Sequence, residues 1–87
     1  MSLTVQGLPA KLDELGIRPI HYSIDESGGG ENYVIKKVSQ FWEVYFSERG
    51  ERYTLRRFQD EHAACEYFLK FIQEDSVVMG DVAEKKS

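Results

Sequence analysis

The sequence predicts an α+β domain of order α-β-β-β-α: a three-stranded antiparallel meander, with room for a fourth short strand, packed against an N-terminal and a C-terminal helix. Three observations carry this. Apolar residues alternate with period two from Asn32 to Ser47, the run Glu48-Arg49-Gly50-Glu51 sits between two strand-like segments, and from Asp60 the period lengthens to that of a helix.

Taken in order, Leu8, Leu12 and Leu15 recur at helical spacing, with Pro9 suited to a first turn and Gly16 to a stop, so a short helix is predicted over about residues 8–15. Ile17 and Pro19 follow as a hydrophobic residue and a breaker beyond the glycine. Ile20 to Ile24 reads as either a brief strand or an extended segment. Asp25-Glu26-Ser27-Gly28-Gly29-Gly30 is a loop, because three successive glycines carry little conformational preference. Tyr33, Ile35 and Lys37 then alternate with Val34, Lys36 and Val38, and Ser39-Gln40 turns the chain.

Phe41 to Ser47 is the strongest strand, with Trp42, Val44 and Phe46 on one face and Phe41, Glu43 and Tyr45 on the other. Gly50 is available for a positive φ in the hairpin. Arg52 to Phe58 returns, and strict alternation places Tyr53, Leu55 and Arg57 together, opposite Arg52, Thr54, Arg56 and Phe58. Gln59 or Asp60 caps the last helix, whose stripe is Ala64, Cys65, Phe68, Leu69 and Ile72. The core is therefore expected to combine Trp42, Val44, Phe46, Tyr53 and Leu55 from the sheet with Leu12, Leu15, Phe68, Leu69 and Ile72 from the helices. Its compact part spans about residues 8–75, and 76–87 reads as a flexible tail, with Val77, Val78 and Met79 able to dock before the polar end.

A chain of 87 residues has room for one domain, 1–87, and one modest core. One cysteine forms no internal disulfide, which suits the cytoplasm, and the first residues lack the basic and apolar regions of a signal peptide. No apolar run approaches the roughly 20 residues that span a bilayer. The formal charge of −4 is unevenly placed. Between Lys36 and Arg57 six basic residues face three acids, whereas from Asp60 to Glu84 seven acids face Lys70 alone. An acidic helix of this kind suits a basic partner, since complementary potentials steer association.

The residues give little for chemistry. His21 and His62 lack metal-ligand spacing, so neither a metal nor a cofactor is expected. Cys65 lies three residues after His62, but its place on the apolar stripe makes it a small core hydrophobe. The glycine run lacks the Lys-Ser/Thr of a phosphate loop and leads into a strand. Paired acids such as Asp13-Glu14 and Asp60-Glu61 are sequence neighbours with nothing to sequester them, so an enzyme is not expected. The strand order matches that of a double-stranded RNA-binding domain, yet the acidic last helix would repel phosphates. Exposed Phe41, Tyr45 and Phe58 could stack on single-stranded bases, which keeps a nucleic-acid-binding or translation-associated module as the alternative.

The run Trp42-Glu43-Val44-Tyr45-Phe46-Ser47-Glu48-Arg49-Gly50-Glu51-Arg52, with Phe58 followed by Glu61, Ala64, Cys65, Tyr67 and Phe68, resembles small bacterial immunity proteins of polymorphic toxin systems, including contact-dependent growth inhibition. The likeness covers about residues 32–72. It implies a cytoplasmic antitoxin that binds one cognate toxin domain, commonly a basic nuclease, and blocks it stoichiometrically. The candidate contact residues are Glu61, Glu66, Tyr67 and Glu74 on the last helix, Asp25 and Glu26 in the loop, and Glu48, Arg49 and Arg52 at the hairpin. Tyr residues beside acids, such as Tyr67 and Tyr22, are the expected anchors.

Overall fold

The computed structural model describes residues 3–25 and 31–86. Its first helix, α1, runs Leu8–Glu14 and ends in a Schellman motif. Gly16 adopts φ 81° and its N–H donates to the Asp13 carbonyl, while the Ile17 N–H donates to that of Leu12. Leu12 and Ile17 are both buried, so the cap also nails the chain to the core.

A 3-10 turn, Pro19–His21, leads into β1, Tyr22–Ile24. The remaining strands are β2 (Asn32–Val38), β3 (Phe41–Glu48) and β4 (Glu51–Phe58), and the helices α2 (Glu61–Gln73) and α3 (Ser76–Lys86) follow. The sheet order is β1-β2-β3-β4, as the short turns predict. β2 to β4 form the antiparallel meander, but β1 joins its edge parallel to β2, with Tyr22 opposite Tyr33 and Ile24 opposite Ile35. The sheet is thus mixed. Side-chain periodicity reports faces and carries no signal for strand direction.

α2 lies across β2, β3 and β4 on one face of the sheet. There Ile35 and Val44 meet Leu8, Leu12, Cys65, Phe68 and Ile72 in the central cluster. Burial pushes the Cys65 thiol up to about 11, helped by the nearby carboxylates of Glu61 and Asp60. The native protein should therefore leave Cys65 unmodified by a disulfide reagent such as DTNB for as long as it stays folded. Stoichiometric labelling within minutes without denaturant would contradict that burial.

Two further expectations are corrected. The first concerns Tyr53 and Leu55, which are exposed rather than core. Trp42 pairs with Phe58 and Val44 with Arg56, yet Phe46 pairs with Tyr53, so Tyr45 alone opposes Thr54 and Leu55. This β-bulge shifts the phase of β4 by one residue, which sends Leu55 to the far face and brings Phe58 to the helix side. Thr54 sits in the bulge at φ 57°, a strained position for a β-branched residue. Thr54→Gly should stabilise the protein by about 1 kcal/mol, read as a higher urea midpoint; a lower midpoint would show that the threonine is favoured there.

The second correction concerns the expected tail. Residues 76–86 form α3, and its Val78 and Val82 are buried in the core. Asp75 caps this helix, accepting from the Val77 N–H at 2.8 Å and the Val78 N–H at 3.2 Å.

Candidate partner-binding surfaces

The helical side and the open side of the sheet present different chemistry. On α2 and its C-cap, Glu66, Tyr67 and Glu74 line one open groove of about 720 Å³ together with Leu3, Leu69 and Lys70. Glu66, Lys70 and Glu74 recur every fourth residue, which places them on one exposed helix face. Tyr67 is half-buried, its ring stacked on Phe71 at 5.5 Å and tilted against Phe58 at 5.4 Å. Its anchoring to the core removes much of the entropy cost of presenting it to a partner.

The groove's other wall comes from the N-terminus. The Leu3 N–H donates to His62 Nδ1 at 2.8 Å, and the Val5 N–H donates to Glu61 Oε2 at 2.9 Å. Because His62 Nδ1 accepts, its Nε2 carries the proton and faces Glu66 at 3.4 Å. Glu61 is therefore committed to holding the N-terminal segment, a role that sequence spacing does not reveal because the partners lie 56 residues apart.

The other candidates are scattered. Glu48 and Arg49 sit at the β3–β4 hairpin, where Arg49 and Gly50 both take positive φ, as a type I′ turn requires. Asp25 follows β1, its Oδ1 accepting from the Lys37 N–H at 3.4 Å and its own N–H donating to the Ile35 carbonyl. Glu26, like the glycine run, lies outside the described residues. Tyr22 is half-buried and packs on the core.

Arg52 belongs to the open sheet face. Glu43 is buried there, bound by Arg57 Nε at 3.0 Å with Arg52 at 3.9 Å. Tyr45, only 2% exposed, lies beneath the Lys36 ammonium at 6.0 Å and the Arg52 guanidinium at 5.3 Å. A ring covered in this way cannot stack on a base, and Phe58 packs on Tyr67 instead. Of the three aromatics expected to stack, only Phe41 is exposed on this face.

A second acidic region joins α3 to the start of the sheet, and the sequence reading missed it. Arg18 forks onto Asp81 with contacts of 2.8 and 3.0 Å, and His21 Nε2 meets the same carboxylate at 3.1 Å. The Arg18 guanidinium, then His21, hold Asp81 below the usual carboxylate range. Beside it the Tyr33 hydroxyl donates to Asp75. Burial alone would raise the Asp75 carboxyl, but Tyr33, the two capping amides and His21 together bring it below its ordinary value. The short spacing Asp75-x-Val77-Val78 was readable as a helix cap; the long-range partners were not.

Among the described residues no helix is long and apolar enough to cross a membrane, and no group of three or more His, Cys, Asp or Glu side chains is arranged to hold a metal. Comparison with protein-family models, with curated proteins and with solved structures gives no match.

Proposed function

We propose that this domain is an inhibitor of the immunity-protein kind, which binds one basic toxin domain in the bacterial cytoplasm and blocks it stoichiometrically. The observation that supports this best is the α2 groove, where Glu66 and Glu74, with Lys70 between them, flank the anchored ring of Tyr67 and the apolar Leu3 and Leu69. A preorganised tyrosine with apolar neighbours has the composition of an interface hot spot, and carboxylates on its rim complement a cationic surface. A nuclease whose substrate is a polyanion supplies such a surface, and the helix acids take the place of phosphates. The nucleic-acid-binding alternative is weakened by the covered ring of Tyr45 and by Glu43, which engages Arg52 and Arg57.

Co-expression with the toxin encoded immediately upstream tests the reading, and survival of the cells is the expected result. Continued killing despite soluble inhibitor would sink it. Glu66→Lys combined with Glu74→Lys should weaken the purified complex roughly ten- to a hundredfold, with circular dichroism unchanged. Full affinity in that variant would remove the α2 groove from the interface.

A further inference from the structure

We propose that the cavity between the 3-10 turn, β2 and the start of α3 is a socket for one arginine side chain of a protein partner. The proposal deepens the inhibitor reading and rests on it for the partner's basic character.

The cavity measures about 410 Å³. Its rim carries Ile20 and Val77, the two most exposed large apolar side chains among the described residues, at 63% and 75%. A single exposed aliphatic residue is ordinary, whereas two on the rim of one concavity offer apolar area to something that enters it. Tyr33 and Phe46 form an aromatic wall, their ring centroids 4.8 Å apart. Asp75 and Glu31 supply carboxylates, and Asp75 is kept charged by the Tyr33 hydroxyl and the amides of Val77 and Val78.

These parts match arginine feature by feature. Its aliphatic stem fits between Ile20 and Val77, and its planar guanidinium can lie on a ring while donating to carboxylates. A lysine ammonium is more strongly hydrated and does not stack in this way. The neighbouring Arg18 does not fill the role, because its guanidinium is already forked onto Asp81. His21, which also lines the cavity, is held against that same Asp81. A cation in the socket therefore faces the two carboxylates and the Tyr33 hydroxyl, with the His21 ring turned to Asp81.

The test is a titration of the ¹⁵N-labelled full chain with the peptide acetyl-Gly-Arg-Gly-amide, followed by amide chemical shifts. Saturable shifts at Ile20, Tyr33, Val77 and Val78 are expected, with the citrulline peptide inert and the lysine peptide at least about threefold weaker. Glu31→Gln should weaken the arginine peptide about three- to fivefold, and Val77→Ser should also weaken it. Both positions are exposed, and unchanged shifts elsewhere would show that the fold is kept. Equal response to citrulline or to lysine, shifts concentrated at Glu66 and Glu74, or no saturation would each overturn the proposal. Loss of peptide binding alone would leave toxin protection through the α2 groove standing. Intact peptide binding without protection would instead remove the inhibitor reading.

Discussion

Replacing Phe68 with alanine is expected to cause the largest loss of stability of any single truncation in the core. Phe68 is fully buried and, among the described residues, the largest side chain to be so. It enters from α2 into the cluster where α1, β2 and β3 also meet, alongside Leu8, Leu12, Ile35 and Val44. Truncating a buried phenylalanine to alanine costs about 3–5 kcal/mol, part lost transfer energy and part cavity. A domain of this size holds only about 5–10 kcal/mol in total, so roughly a third or more of its stability would go. Urea unfolding followed by the fluorescence of half-buried Trp42 measures the loss, and Phe68→Leu should cost much less. A loss under about 1 kcal/mol would mean that α2 is not packed through this face.

Phe68 also shows what was legible in the sequence. The stripe Ala64, Cys65, Phe68, Leu69, Ile72 is local, and all five residues are buried as their spacing predicts. The Gly16 stop with Ile17 behind it is equally local, and it forms the predicted cap. What the pattern concealed was long-range or non-periodic. One extra residue at Thr54–Leu55 leaves composition untouched while exchanging the faces of half a strand. α3 was concealed because it is only weakly amphipathic and contains Gly80, so that Val78 and Val82 look like part of a tail. Their spacing of four residues behind a capping aspartate was the available signal. At the candidate site, Glu66, Lys70 and Glu74 are readable as one exposed face. The groove they line also needs Leu3, whose amide is tied to His62. No window along the chain contains both.

Asp75→Ala should be the most damaging change outside the core, because one carboxylate serves two elements at once. It caps α3 through the Val77 and Val78 amides, and it accepts the hydroxyl of Tyr33 from β2. Losing a cap costs about 1 kcal/mol, and leaving a buried hydroxyl without its acceptor costs about 1–3 kcal/mol more. A loss of about 2–4 kcal/mol is therefore expected. Tyr33→Phe removes only the second part and should cost less, and a double-mutant cycle between the two positions isolates it. The pH dependence has a definite sign. Asp75 is held below its ordinary value, so its contribution is present above about pH 4 and fades as pH falls through the folded value. Burial and then Asp75 push the Tyr33 hydroxyl the other way, so the pair is neutral at Tyr33 and charged at Asp75 across the whole neutral range. At the alkaline end the contribution is complete below about pH 10 and declines as Tyr33 ionises. The gap in urea midpoint between Asp75→Ala and the parent should thus be widest near neutrality and narrow in acid. A gap of equal size at about pH 3 and about pH 7 would show that the carboxylate's charge is not what holds α3 to the sheet.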